Sequence, residues 1–101
     1  MPFPPDRVFF RSLRLSLLAS RGGPMRARIL VILSKTPLNP LALAKALSID
    51  YKTALFHLEK LQKQQLVVKK GDGYGAVYAS TFTPEQQPIF EKMVEEMGES
   101  L

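Results

Sequence analysis

Ser48-Ile49-Asp50-Tyr51-Lys52-Thr53-Ala54-Leu55-Phe56-His57-Leu58-Glu59-Lys60-Leu61 is a tight turn running into an amphipathic helix. Asp50 is placed to cap that helix, which the pattern extends from Tyr51 to about Gln65. At ~100° per residue, Ala54, Leu58 and Leu61 gather on one side as a packing face, flanked by Tyr51 and Leu55. Lys52, Thr53, Phe56, Lys60 and Lys63 gather on the other, with Glu59 at the edge and His57 beside the packing face. Three cations, a hydroxyl and an aromatic ring on one outer face suit either a solvated surface or contact with a polyanion. In the second case lysine meets phosphate or guanine, threonine meets phosphate or a base edge, and the ring meets thymine methyls.

The neighbouring segments narrow the choice. Upstream, Asn39-Pro40 is a cap followed by a first-turn proline, opening a short helix through Leu47. Ala44 within it is small enough to let two crossing helices approach. Downstream, Leu66-Val67-Val68-Lys69-Lys70 and Ala76-Val77-Tyr78-Ala79 are β-prone runs separated by Gly71-Asp72-Gly73-Tyr74-Gly75, which reads as a hairpin. Two short helices joined by a three-residue turn and followed by a hairpin describe a winged helix-turn-helix. The expected fold class is therefore mostly α with a β-hairpin wing. Lys69 and Lys70 lead into the wing and Tyr74 stands at its tip, placed for phosphate or minor-groove contact. The plainer use of those lysines is to protect an edge strand.

The flanks read as two further helices with a third between them and the motif. Met1 to Pro5 holds three prolines and should be irregular. Asp6 is a cap for a helix to about Ala19, with Phe9, Phe10, Leu13 and Leu17 as its apolar stripe. Leu13 to Leu17 also alternates as a strand would, but the phenylalanines extend the helical period. Gly22-Gly23 breaks that element, and a helix from Pro24 to about Lys35 packs through Ile29, Leu30 and Leu33 until Thr36-Pro37 ends it. Thr83-Pro84-Glu85-Gln86 opens a last helix to about Gly98, carrying Ile89, Phe90, Met93, Val94 and Met97 on one face.

Residues 24–82 thus form the winged-helix core, while 1–23 and 83–101 carry terminal helices. The stripes Phe9/Phe10/Leu13/Leu17 and Ile89/Phe90/Met93/Val94/Met97 exceed what three short helices and a hairpin need. They are expected to form a homodimer interface, the alternative being that each packs on its own core. A two-fold dimer would set two reading helices about one DNA turn apart.

Charge points the same way. Residues 1–82 hold thirteen Lys and Arg against four acids, whereas 83–101 hold one Lys and five Glu. A basic body with an acidic tail favours a polyanionic partner, here double-stranded DNA. With no cysteine in 101 residues, disulfides and thiolate metal sites are excluded. No apolar run approaches the ~18 residues of a membrane span, and the start lacks a secretory pattern, so a cytoplasmic protein with no membrane partner is expected.

Pro24 to Leu30, Leu38 to Leu47, Asp50 to Leu61 and Gly73-Tyr74-Gly75-Ala76-Val77-Tyr78 together resemble the ArsR-like winged-helix transcription regulators, especially the small archaeal ones. The resemblance covers about residues 20–100. It implies a homodimer on a roughly palindromic operator, with Tyr51, Lys52, Thr53, Phe56 and His57 entering the major groove. Ser48 stands where such turns often have glycine, and Leu55 and Phe56 replace polar residues common on the reading face. The cysteine motif of the metal-sensing members is absent, so metal sensing does not carry over.

Catalytic chemistry is not legible. His57 is the only histidine, no nucleophile–base set can be assembled, and Glu91, Glu95, Glu96 and Glu99 read as a solvated helix face. The glycines of 71–75 superficially suggest a dinucleotide fingerprint, but that motif needs a helix after them and a strand follows. The expectation is a non-enzymatic regulator, a repressor by occlusion, with no cofactor and no metal. An architectural chromatin protein, a protein–protein module and a single-strand binder using Phe56, Tyr51 and Tyr74 remain open alternatives.

Overall fold

A helix that begins at its first proline and ends where glycines intervene opens the chain. The computed structural model describes residues 5–98, and the side chains of all of these except Pro5, Asp6 and Tyr74. The irregular lead expected over residues 1–4, Glu99 and the Tyr74 contact lie outside what is described, whereas Pro5 is already helical, so Asp6 stands inside the first helix and not at the expected cap. Helix α1 spans Pro5–Leu17, α2 Gly23–Lys35, α3 Pro40–Leu47 and α4 Tyr51–Lys63. Strand β1 (Val67–Lys70) and strand β2 (Val77–Ser80) flank a short 3₁₀ turn at Gly73–Gly75, and α5 (Gln87–Glu96) closes the order. This is a winged helix-turn-helix with one helix before and one after it.

The capping residues act as their chemistry suggests. Asn39 accepts a hydrogen bond from the Ala42 amide at 2.7 Å, and Asp50 accepts one from the Thr53 amide at 2.7 Å. Thr83 and Gln86 bond reciprocally, the Thr83 amide donating to Oε1 at 3.0 Å and the Gln86 amide to Oγ1 at 3.1 Å. Regular helix nevertheless starts only at Gln87, later than the expected Pro84. Pro88 has no N–H to donate back to Pro84, so the first turn stays a turn.

Between α1 and α2 the two glycines answer different demands. Gly23 is buried so tightly under the end of α1 that a Cβ there would sit 2.0 Å from the Leu17 carbonyl oxygen. Gly22 has φ +82°, in the left-handed region, and a Cβ would lie 2.8 Å from Cε1 of His57.

In the hairpin, β1 and β2 pair antiparallel with Val67 opposite Ser80 and Lys70 opposite Val77. Leu38 adds a third position, exchanging backbone bonds with Tyr78 at 2.8 and 3.1 Å. That bridge ties the lead into α3 to the wing.

One hydrophobic cluster joins all five helices and the hairpin: Phe9, Leu13 and Leu17 of α1 pack with Ile29, Leu30, Leu43, Leu58, Leu61, Tyr78 and with Phe90, Met93 and Val94 of α5. This corrects the expected use of the terminal stripes. Phe9, Leu13, Leu17, Phe90, Met93 and Val94 are buried within their own chain, and Ile89 and Met97 are half-buried against the same cluster. Only Phe10 of the assigned interface residues stands exposed. The reason is size: three short helices and a two-stranded hairpin leave apolar surface that a helix at each end covers. Among the described residues no helix is long and apolar enough to cross a membrane.

Candidate nucleic-acid interface

Helix α4 is held by three constraints that together aim its outer face. Asp50 fixes its start: Oδ1 accepts from the Thr53 amide and Oδ2 from the Thr53 hydroxyl at 3.1 Å. Those bonds, the amide's first, hold the Asp50 carboxyl below its ordinary value. Ala54, Leu58 and Leu61 fix its inner side by burial. His57 supplies the third constraint.

His57 is only 8% exposed, and NH1 of Arg26 lies 3.2 Å from its Nδ1. A guanidinium can only donate, so Nδ1 accepts and the ring proton sits on Nε2. Burial first, then the nearby charges of Arg26 and Lys60, hold the imidazole below its ordinary value and keep it neutral. The expectation that His57 contacts DNA is therefore corrected. It follows Ala54 by three residues and precedes Leu61 by four, so it shares their inward side.

Arg26 is fully buried at the root of α2. Its Nε donates to the Ser16 carbonyl at 3.0 Å and Ser16 Oγ at 3.1 Å, and NH2 donates to the Ser16 and Arg21 carbonyls at 2.8 Å each and to Ser20 Oγ. Among the described residues no carboxylate pairs with it, and desolvation lowers its pKa. One side chain thus ties the end of α1, the glycine turn and α4 together. Sequence reasoning missed it, although the signal was present. Arg26 precedes Ile29, Leu30 and Leu33 by three, four and seven residues, which places it at the centre of the buried face of α2.

The outer face is as the wheel predicts. Phe56 is 59% exposed and Tyr51 48%, with Lys52 and Lys63 exposed and Lys60 half-exposed. Lys60 Nζ sits over the Phe56 ring, 5.9 Å from its centroid. Thr53 is half-buried with its hydroxyl committed to Asp50. Beside this face, Val68, Lys69 and Lys70 of β1 and residues 71–73 and 75 of the turn are exposed. Lysines 52, 60 and 63 thus share one helix face, and lysines 69 and 70 line the exposed edge of the wing.

A second mixed surface, also missed, is the outer side of α1. Phe10, Leu15 and, just past the helix, Leu18 are exposed there beside Arg11 and Arg14, with the Arg14 guanidinium 5.8 Å from the Phe10 centroid. The i, i+4, i+7 recurrence of arginine at 7, 11 and 14 was its sequence signal. No three His, Asp or Glu among the described residues gather to hold a metal.

No family model matches the chain, and no curated protein sequence does. Solved structures do match. The chain is similar to Mb0332 from Mycobacterium bovis, a homodimeric winged helix-turn-helix DNA-binding domain described as a possible ArsR-family transcriptional regulator. That likeness has 22% identity, covers 100% of this chain and 94% of the other, and has a TM-score of 0.68. NolR from Sinorhizobium fredii matches at 24% identity over 99% of both chains with a TM-score of 0.61. ZitR from Lactococcus lactis matches at 20% identity and a TM-score of 0.58, and there the aligned part covers 72% of this chain but 51% of the other. The chain thus spans about half the length of ZitR and nearly all of the other two. These likenesses establish the winged helix-turn-helix fold.

Proposed function

We propose that this winged helix-turn-helix protein binds double-stranded DNA as a homodimer and regulates transcription by occluding its site. The observation that carries the reading is the outer face of α4, where Lys52, Lys60 and Lys63 surround an exposed ring on a helix whose inner side is fixed by burial and by Arg26. Such a helix presents cations to phosphates flanking a major groove. Lys69 and Lys70 extend the cationic track along the wing, where Tyr74 is assigned a phosphate contact.

The pairing surface we propose is the outer side of α1, with Phe10, Leu15 and Leu18 as its apolar part. Phe10 and Leu15 on the helix and Leu18 just past its end leave an exposed apolar face that a second copy would cover. Arg11 and Arg14 on that face complement Glu91, Glu95 and Glu96 on the outer side of α5 of a second copy. Homodimeric Mb0332, 94% of which this chain covers, supports pairing of two copies.

The test is a titration of purified protein onto the DNA upstream of its own coding sequence and onto random duplex, at several salt concentrations. Affinity that falls steeply with salt and favours the upstream DNA supports a sequence-selective regulator. Equal affinity for every duplex points to an architectural role, which the apolar centre of the reading face would suit. Absence of duplex binding at low salt overturns the proposal.

A further inference from the structure

The centre of the outer face of α4 is apolar, and apart from the lysine ammoniums and the exposed Tyr51 hydroxyl the groups around it have few hydrogen bonds to offer. Thr53 has its hydroxyl on Asp50, His57 is turned inward onto Arg26, and Leu55 is aliphatic. Phe56 is the most exposed of the large apolar side chains on this surface, and the three lysines lie before and after it on the same side of the helix. In the major groove of B-form DNA the C5 methyl of thymine is the one bulky apolar group that the base edges present. A helix that holds phosphates with flanking cations and offers a bare ring at its midpoint is complementary to that methyl.

Resting on the DNA-binding reading above, we propose that Phe56 is a specificity-determining residue that selects duplexes presenting thymine methyl groups to the centre of α4. Stacking of unpaired bases on the same ring is less well served by the geometry. One face of the ring lies under Lys60 Nζ, and His57 packs against it edge-on, at 5.4 Å between centroids and 67° between planes. A base needs an open ring face, whereas a methyl group needs only an accessible edge.

The experiment starts from a library of random 20-base-pair duplexes, from which the protein selects its preferred binding sequence. That duplex is then synthesised with deoxyuridine in place of thymidine, which removes the methyl groups and leaves every Watson–Crick and groove hydrogen bond intact. Wild-type affinity is expected to drop about fourfold for each contacted thymine. Phe56→Ala, whose thermal melt should match wild type because the ring is mostly in solvent, is expected to bind the thymine and uracil duplexes equally. Equal wild-type affinity for the two duplexes, with steep salt dependence retained, overturns methyl reading while leaving DNA binding standing. Tighter binding to the single strand than to the duplex, lost in Phe56→Ala, overturns it in favour of stacking. No binding to any duplex at low salt overturns both readings together.

Discussion

Replacing Arg26 with methionine keeps the length and apolar stem of a fully buried side chain and removes its donors. Arg26→Met strips a partner from the Ser16 carbonyl, from Ser16 Oγ and from Nδ1 of His57, all in buried residues, and from groups nearer solvent on Ser20 and Arg21. A buried acceptor left without a donor costs about 1–3 kcal/mol. The Ser16 hydroxyl can rotate, and the Ser20 hydroxyl already reaches the Ser16 carbonyl at 3.3 Å, so part of that is recovered. Opposing it, a cation with no carboxylate partner leaves the interior, which by itself favours the variant. Three buried acceptors outweigh that relief, giving a net loss of roughly 3–5 kcal/mol, set against the about 5–15 kcal/mol of a domain this size. With a urea m value of about 1.5 kcal/mol per M, the midpoint should fall by about 2–3 M. Circular dichroism at 222 nm during urea titration reads it directly. An unchanged or higher midpoint would refute the reasoning, because it would mean that desolvation of the guanidinium governs this site. Arg26→Lys should be intermediate, since a point charge cannot serve α1 and α4 at once.

Stability should also depend on His57. Its folded-state pKa lies below the ordinary 6.5, so the unfolded chain binds more protons near that value; stability is constant above about pH 7.5 and declines as pH falls through 6.5 toward 5.5. Urea midpoints between pH 5.5 and 8 measure this, and His57→Gln should flatten the decline. Gly23→Ala drives a Cβ into the Leu17 carbonyl and should abolish cooperative melting, whereas Ala at the exposed Gly75, with nothing within 4 Å, should melt as wild type does. Ser48, a non-glycine residue at φ +55°, carries left-handed strain, and Ser48→Gly should raise stability by about 0.5–1 kcal/mol in the same assay. Asn39→Ala removes the α3 cap and should cost about 1 kcal/mol.

The helix-turn-helix and its wing were legible because each element is written in local chemistry. Asn39 and Asp50 cap, prolines open helices, and the glycines of 71–75 separate two β-prone runs. The outer face of α4 followed from a 3.6-residue period alone. What the sequence concealed is what depends on the rest of the fold. Phe9, Leu13, Leu17, Phe90 and Val94 are apolar whether a partner chain or the same chain covers them, so periodicity could not say which. His57 sits at the margin of the packing face, and the Arg26 hydrogen bond that holds it there comes from 31 residues away. Arg26 itself was overlooked because arginine is rarely buried, despite its place on the apolar stripe of α2. The bridge between Leu38 and Tyr78 leaves no mark in either segment.

Titrating isotopically labelled protein with a 20-base-pair duplex and following backbone amide shifts locates the DNA-facing surface without presuming it. Changes should concentrate along α4 from Tyr51 to Lys63 and along residues 68–75, leaving the outer side of α5 unmoved. Shifts confined to α1 or α5, with α4 silent at saturating duplex, would contradict the assignment of α4 as the element that enters the groove.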